Sequence, residues 1–254
     1  MADNTAAGIT GAVVRPYDLV IFDCDGVLVD SERIANREFA LLLKEIGLDF
    51  TLPQMFETFV GNTMDRCVEI ITERLGHAPP ADLLDRYHAM IRVALEREIK
   101  PVAGVVELLD TLEAASIPYA VASNGEHSKM QTTLGATGLL ARFAGRRFSA
   151  TDVARAKPAP DLFLHAAATL GALPSRCVVI EDSPLGVQGA CAAGMTVIGY
   201  ADLMPEQRLR AAGASHVVTS FAALDVLLGV PELKTKVTTQ SRAEIGKRLH
   251  SSDP

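Results

Sequence analysis

The stretch Val20-Ile21-Phe22-Asp23-Cys24-Asp25-Gly26-Val27-Leu28 decides the fold of this chain. Its first part is a β-branched and aromatic run that stops at two aspartates separated by one residue. Such a run predicts a strand buried on both faces, as in a parallel sheet. Side chains two residues apart on an extended chain point to the same side, so Asp23 and Asp25 are expected to converge. Gly26 permits the sharp turn that follows.

The two carboxylates of this stretch predict a cation nearby. Like charges this close repel each other unless a positive charge lies between them, and a hard divalent cation serves this purpose with oxygen ligands. Asp and Gly are also common in solvated turns, so the motif by itself leaves an ordinary turn open.

Three further motifs follow in order along the chain. Ser123-Asn124-Gly125 comes directly after the apolar run 119–122, and Glu181-Asp182-Ser183 comes after the apolar run 178–180. Lys157-Pro158 lies between them. By itself, Lys157 is typical of a surface residue, and Glu181-Asp182 is typical of a helix cap. Their joint occurrence with the first motif, with two of them directly behind strand-like runs, favours a shared site, because ligands of parallel sheets bind beyond the carboxyl ends of the strands.

With these four motifs the chain resembles the haloacid dehalogenase (HAD) superfamily of phosphohydrolases. The family pattern is DxDG[VT], then [ST] after a strand, then a Lys, then [ED]D, and all four parts match in order between residue 19 and about residue 200. The resemblance implies that Asp23 attacks phosphorus and forms an aspartyl-phosphate, and that Asp25 acts as general acid and base. It also implies that Ser123 and Lys157 hold the phosphoryl oxygens.

The same resemblance implies a Mg²⁺ cofactor and a substrate site. Asp23, the backbone carbonyl of Asp25 and Asp182 are the expected metal ligands, with Glu181 binding through a water. Asn124 is expected to contact the substrate together with Ser123 and Lys157. The expected partner is a small phosphate ester, and the oligomeric state stays undetermined.

A helical block separates the first motif from Pro101. Apolar residues recur at helical spacing in four segments, near 31–46, 53–60, 63–75 and 80–99, and no strand pattern interrupts them. A block of helices directly after the first strand resembles the first HAD cap type. The loop 61–63 joins two of these helices, and we expect its Asn62 to approach substrate hydroxyls, although an ordinary helix linker stays open.

Beyond Pro101 strands and helices alternate, which predicts a parallel sheet covered on both faces. The last predicted element is a strand over 196–200. The expected fold is therefore α/β, with a Rossmann-like doubly wound core and an inserted all-helical cap. The expected division of the chain is a loose arm over 1–15, the core over 16–30 and 101–230, the cap over 31–100, and a polar tail over 231–254.

Composition excludes several classes of function. The 254 residues carry a net charge of −7, which leaves no basic excess for nucleic acid. No apolar stretch is long enough to cross a membrane, and no secretory signal is recognisable. The four cysteines lack zinc or disulfide spacing, so a cytoplasmic protein with reduced thiols is expected. Cys24 points away from its flanking aspartates and is not expected to be catalytic.

Asp25 also separates the chemistries of the superfamily. A dehalogenase lacks this second carboxylate, because a halide leaves without a proton, so a phosphate ester is the expected substrate. A membrane ATPase of this superfamily would show D-K-T-G, and a P-loop kinase would show G-x-x-x-x-G-K-[ST]; the sequence has neither. A catalytically silent binding protein on the same fold is an alternative from another class, and the four intact motifs argue against it.

The nearest rival is a β-phosphoglucomutase, which shares fold, cap and motifs. A mutase of this kind has a His at the position of Ala35 and cationic residues at Val60 and Met64, so hydrolysis is favoured. The segments 123–131 and 162–167 are similar to those of bacterial sugar-phosphate phosphatases of the 6-phosphogluconate type. We therefore expect a phosphatase acting on a small phosphorylated metabolite, most simply a sugar phosphate.

Overall fold

The computed structural model describes residues 15–60, 62 and 64–230. The predicted arm, except Arg15, and the predicted tail lie outside the described residues, as do Gly61 and Thr63 of the cap loop. Within the described ranges, no helix combines the length and the apolar character that a membrane span requires.

Six parallel strands form the central sheet, which confirms the predicted doubly wound core. In chain order they are β1 (Leu19–Phe22), β2 (Tyr119–Ser123), β3 (Arg147–Ser149), β4 (Cys177–Glu181), β5 (Thr196–Tyr200) and β6 (His216–Val218). Their order across the sheet is β3-β2-β1-β4-β5-β6. The connections change direction between β1 and β4, and ligands of doubly wound sheets bind at such a switch point.

Strand β1 is buried because the helices cover both faces of the sheet. Val20 and Phe22 belong to the apolar layer on one face, whereas Leu19 and Ile21 belong to the layer on the other. The core helices are α5 (Val105–Ala114), α6 (His127–Ala136), α7 (Asp161–Thr169), α8 (Pro184–Ala192), α9 (Glu206–Ala212) and α10 (Leu224–Leu227). In the sequence, four further helices over residues 31–98 come between β1 and α5.

These four cap helices are α1 (Ser31–Glu45), α2 (Leu52–Phe59), α3 (Met64–Leu75) and α4 (Leu83–Glu98). They pack around an apolar cluster of their own that includes Phe39, Leu42, Met55 and Ile71. Phe39 meets the ring of Phe59 edge to face, with centroids 5.3 Å apart. The cap therefore has a separate core, as its helical periodicity predicts.

The chain enters and leaves the cap at one place. The backbone N–H of Asp30 donates to the carbonyl of Lys100 at 3.0 Å, and Val29 forms an antiparallel bridge with Pro101. The two connections between the core and the cap are therefore hydrogen-bonded to each other.

Among the strands and α-helices of the described residues, three are not predicted by the sequence patterns: β6, α9 and α10. Strand β6 has three residues and begins with the exposed His216, and α10 has four residues. Segments this short contain less than two periods of any apolar pattern, so their sequence does not distinguish them from loops. Helix α4 also begins at Leu83 rather than near Pro80, because residues 80–83 form a turn first.

Candidate active site

The motif residues meet at the carboxyl edge of the sheet. Asp23 directly follows β1, Ser123 is the last residue of β2, and Glu181 is the last residue of β4. Lys157 reaches the same edge from the segment between β3 and α7. Because the three strands are neighbours and parallel, the fold brings these distant positions together at the switch point.

Lys157 is the centre of the site. Its Nζ donates to Asp23 Oδ1 at 2.5 Å, to Glu181 Oε1 at 2.7 Å and to the carbonyl of Ala122 at 2.9 Å. These three bonds use every donor of the ammonium group. Its side chain is only 3% exposed, and Nζ lies 4.9 Å from the ring centroid of Phe163. Burial acts to lower the pKa of Lys157, but Asp23 and Glu181 outweigh burial and raise it.

Lys157 does not fully compensate the negative charge of Asp23. Burial raises the pKa of Asp23 to about 7, Lys157 opposes the increase, and the charges of Glu181 and Asp25 add to it. An ionised Asp23 would be stabilised by a second cation on its other side.

The neighbouring carboxylates fit such a cation. Asp23, Glu181 and Asp182 each offer an oxygen within 4.8 Å of the others. Burial and the charges of Glu181 and Asp23 raise the pKa of Asp182 well above its usual range. Among the described residues, none donates a hydrogen bond to the Asp182 side chain. A set of oxygen ligands with uncompensated charge suits a hard divalent ion.

Glu181 differs from Asp182 because both its oxygens already have protein donors. Oε1 accepts from Lys157, and Oε2 accepts from the backbone N–H of Ser183 at 2.8 Å and from its hydroxyl at 2.9 Å. Ser183 in turn caps α8, accepting from the N–H of Gly186 at 3.0 Å. Glu181 therefore orients Lys157 and the start of α8, while Asp182 has the open ligand atoms.

Gly26 makes room for the Asp182 carboxylate. A Cβ at this position would lie 2.0 Å from Asp182 Oδ2, and the backbone has a φ of +79°. Both the contact and the left-handed conformation require glycine. The turn after Asp23 and Asp25 therefore leaves space for the carboxylate of Asp182, the residue that follows β4.

Asp25 has two partners that the sequence reasoning missed as site residues. Ser31 at the start of α1 donates its hydroxyl to Oδ1 at 2.7 Å, and Lys129 of α6 lies 2.8 Å from Oδ2. Burial acts to raise the pKa of Asp25, but Lys129 and Ser31 outweigh burial and hold it below its usual range. The only sequence signal for Lys129 is its place in the segment similar to sugar-phosphate phosphatases, six residues after Ser123.

Ser123 and Asn124 have different surroundings. Ser123 is buried, and its hydroxyl oxygen accepts from the N–H of Gly125 at 3.0 Å. The Asn124 side chain binds the main chain of Lys157 twice, accepting from its N–H at 3.0 Å and donating to its carbonyl at 3.3 Å. Asn124 therefore fixes the segment that carries Lys157, in addition to any contact with a substrate.

Cys24 turns away from the two aspartates into the core, where it is buried. Burial first, and then the charges of Asp25 and Asp23, raise the pKa of its thiol well above the usual range. A thiol held protonated in this way is a poor nucleophile, in agreement with the sequence interpretation.

A cavity of about 270 Å³ lies among the cap helices, with Lys129 of α6 as its lining residue from the core. Ser31 and Lys129 form part of its wall, together with Asn62, which is exposed. The Asn62 side-chain N–H donates to the carbonyl of Thr58 at 2.9 Å, so part of its amide stabilises the end of α2. The two partners of Asp25, Ser31 and Lys129, thus lie in the wall of this cavity.

Comparison with known proteins gives a consistent result. The model of the haloacid dehalogenase-like hydrolase family matches residues 17–194. The chain is 32% identical to a 6-phosphogluconate phosphatase of Escherichia coli over 184 residues, covering 72% of this chain and 82% of that protein.

Two solved structures have the same architecture. A HAD-family hydrolase of Deinococcus radiodurans, with bound phosphate and sodium, superposes with a TM-score of 0.77 at 35% identity, covering 85% of this chain and 96% of that one. A putative β-phosphoglucomutase of Thermotoga maritima superposes with a TM-score of 0.70 at 26% identity, covering 84% of this chain and all of that one (100%).

Proposed function

This chain belongs to the haloacid dehalogenase-like hydrolase family and is a phosphatase, and we propose that it hydrolyses a sugar phosphate through an aspartyl-phosphate on Asp23, with Mg²⁺ as cofactor. The observation that carries the proposal is the buried group of Asp23, Lys157 and Glu181, with Asp182 open beside it. The similarity to a 6-phosphogluconate phosphatase supports the substrate class.

In the first step Asp23 attacks phosphorus. Lys157 binds Oδ1 of Asp23, so Oδ2 is left to form the new bond. The bond from phosphorus to the ester oxygen breaks, and Asp25 gives its proton to the departing alkoxide. The Ser123 hydroxyl accepts a hydrogen bond from Gly125, which leaves its own hydrogen free to donate to a phosphoryl oxygen.

In the second step water attacks phosphorus and releases Asp23. Asp25 accepts the proton of this water, and the ionised state favoured by Lys129 and Ser31 suits a base. Asp25 then carries the proton for the next leaving group, and because Lys129 and Ser31 favour its ionised form, this proton must be kept from solvent until the next ester binds. One turnover therefore consumes an ester and water and releases an alcohol and phosphate.

The acidic group of Asp23 and Asp182 fits a Mg²⁺ ion on the chemistry of its donors. When bound there, the ion would offset the repulsion between these carboxylates and an approaching phosphate. The neighbour of known structure with bound phosphate and sodium supports a paired anion and cation site in this fold.

A phosphosugar mutase is the second candidate, because the chain shares its fold with a putative β-phosphoglucomutase. A mutase must hold a bisphosphate intermediate at the cap, which requires cationic groups there. Ala35, Val60 and Met64, the positions at which a mutase is expected to have such groups, line the cap cavity with uncharged side chains. Hydrolysis is therefore favoured.

A phosphate-release assay tests the proposal. The purified protein is incubated with p-nitrophenyl phosphate, hexose and hexitol phosphates, phosphoglycolate and nucleotides, with Mg²⁺ or with excess chelator. We expect release from sugar phosphates that stops in chelator and returns when Mg²⁺ is restored. Full turnover in chelator would contradict the cofactor, and conversion of a hexose 1-phosphate to its 6-phosphate without phosphate release would establish the mutase.

A further inference from the structure

The turn after β2 carries the Ser123 hydroxyl of the proposed phosphoryl site. The oxygen of this hydroxyl accepts from the backbone N–H of Gly125 at 3.0 Å, which ties Ser123 to the peptide plane before Gly125. A Cβ on Gly125 would lie 3.3 Å from Ser123 Oγ and 3.8 Å from Asp25 Oδ2, so this backbone passes close to both side chains. A shift of Gly125 would therefore displace the Ser123 hydroxyl or break its hydrogen bond.

Ser149 binds the same turn from the neighbouring strand. It is the last residue of β3, it pairs with Ser123 in the parallel register, and it is fully buried. Its hydroxyl donates to the backbone carbonyl of Gly125 at 2.8 Å, across 24 positions of the chain. Because a carbonyl only accepts hydrogen bonds, the hydrogen of Ser149 must point at Gly125. The two peptide planes on either side of Gly125 are thus each held by a serine hydroxyl.

The oxygen of Ser149 is occupied as well. It accepts from the backbone N–H of Thr151 at 3.1 Å and from the hydroxyl of Thr151 at 2.9 Å. The backbone N–H of Ser149 donates to Asp152 Oδ2 at 2.8 Å, which completes a capping box for the helical turn Ala150–Asp152. The single hydrogen and both lone pairs of the hydroxyl therefore have partners, and the side chain is fixed in one orientation.

The capping of this helical turn does not explain the bond to Gly125. A capping serine needs only its side-chain oxygen and its backbone N–H, and Ser149 uses both within residues 149–152. Its hydrogen is directed instead to the turn that carries Ser123. Asp152 supports the same turn, since its carboxylate lies 2.8 Å from Nε2 of His127, two residues after Gly125. The end of β3 therefore holds the Ser123 turn at two points.

We propose that Ser149 is a positioning residue of the phosphatase, which holds the Ser123 hydroxyl in place for the phosphoryl group through the backbone of Gly125. The proposal rests on the proposed function, in which Ser123 donates to a phosphoryl oxygen. Ser149 itself is fully buried and does not touch the substrate. Its bond orders the turn in advance, so the binding energy of the ester is not used to order the Ser123 donor.

A double-mutant cycle on Ser149→Ala and Ser123→Ala tests the proposal. The two readouts, both with p-nitrophenyl phosphate as substrate, are kcat/KM and the inhibition constant of inorganic phosphate. We expect Ser149→Ala to lower kcat/KM and to weaken phosphate inhibition by about 10-fold each, because a displaced donor loses most of its hydrogen bond to a charged oxygen. In the Ser123→Ala background, Ser149→Ala should change either readout by less than about 2-fold, because no hydroxyl is left to position.

Thr111→Val is the matched control. It removes the same kind of bond, from a buried hydroxyl to a backbone carbonyl at 2.8 Å, but in α5, outside the site. Both readouts should stay within about 2-fold of wild type. Denaturant unfolding reports the stability of every variant. If Ser149→Ala does not fold, Ser149→Cys takes its place in the cycle, because the thiol has nearly the same shape and is a weak donor.

The outcomes separate this proposal from the proposed function. Losses that multiply in the double variant are expected of a residue that only stabilises the fold, and they would overturn the proposal. So would an unchanged inhibition constant in Ser149→Ala, or in Ser123→Ala, with phosphatase activity present. If the wild-type protein releases no phosphate from p-nitrophenyl phosphate or from any sugar phosphate, the proposed function itself is wrong, and this proposal with it.

Discussion

The catalytic edge and the cap cavity lie side by side but satisfy their polar groups in opposite ways. At the edge, Lys157 binds Asp23 and Glu181 at 2.5 and 2.7 Å, and Lys129 lies 2.8 Å from Asp25. Asp23, Asp25 and Glu181 are thus held in place by protein partners, whereas Glu32 in the cavity, like Asp182 at the proposed metal site, has no donor among the described residues. This difference suggests that catalysis and selectivity can be changed separately.

The largest expected effect comes from Asp23→Asn. The amide has the same shape but does not attack phosphorus, so kcat should fall by about 10⁴-fold or more. Lys157 keeps its bonds to Glu181 and to the carbonyl of Ala122, so the fold should persist. Rapid acid quenching with a radiolabelled ester should trap label on the wild-type protein and none on the variant.

The control for this variant is Asp18→Asn, the same change at an exposed aspartate that pairs with Arg176. It should retain normal turnover and normal labelling. Near-normal turnover in Asp23→Asn would show that another residue attacks phosphorus.

Lys157→Met tests whether the edge depends on its central cation. Removing one member of a buried ion pair costs about 3–5 kcal/mol, because the remaining charges lose their partner. Both the free energy of unfolding and kcat should fall, kcat by about 10³-fold, since the phosphoryl charge also loses a donor. Denaturant unfolding and steady-state kinetics measure the two effects.

Lys44→Met is the matched surface control. Lys44 pairs with Asp49 at 3.0 Å, with both side chains well exposed, so the free energy of unfolding should change by less than about 1 kcal/mol. Equal destabilisation by the two substitutions would mean that the buried cluster contributes no more to stability than a solvated ion pair.

Gly26→Ala tests the contact between the first turn and the acidic group. The added Cβ would meet Asp182 Oδ2 at 2.0 Å, so the carboxylate must move. A displacement of about 1 Å in a catalytic group costs about 100-fold in rate. We expect a loss of this size together with a weaker apparent affinity for Mg²⁺, measured by titration of activity.

Gly171→Ala separates backbone strain from this contact. Gly171 also has a positive φ, of +71°, but its Cβ would have open space around it. Both variants should therefore lose stability, and only Gly26→Ala should need more Mg²⁺. A similar Mg²⁺ requirement in both variants would leave the Asp182 contact without a functional consequence.

The catalytic edge is more predictable from the sequence than the cap. Strands β1, β2 and β4 are apolar runs because helices cover both their faces, and three of the four motifs lie where such a run ends. Parallel pairing then brings Asp23, Ser123 and Glu181 together without any knowledge of the loops, whereas Lys157 reaches them from the segment between β3 and α7. The doubly wound sheet and the family are confirmed, while the roles of individual residues stay predictions.

The missed residues depend on contacts that no short pattern encodes. Lys129 lies on α6, more than 100 positions after Asp25, and a lysine on a helix next to a polar loop resembles any solvated side chain. Ser149 ends β3, where a serine is also common as the cap of a following helical turn. The contacts of both residues appear only when distant segments of the chain are seen together.

Asn62→Leu is expected to have the smallest effect. It tests most directly whether the catalytic edge and the cap cavity can be changed separately. Its amide donates to the carbonyl of Thr58, and its oxygen has no donor among the described residues. If that oxygen binds a substrate hydroxyl, the loss of one neutral hydrogen bond of about 0.5–1.5 kcal/mol should raise KM by about 2- to 10-fold for the preferred ester. The ranking of sugar phosphates should change, while the Mg²⁺ requirement should not.

Gln207→Leu, at an exposed amide on α9, should change neither. An unchanged substrate ranking would confine Asn62 to stabilising the end of α2, and a changed Mg²⁺ requirement would show that the cap also orders the catalytic edge.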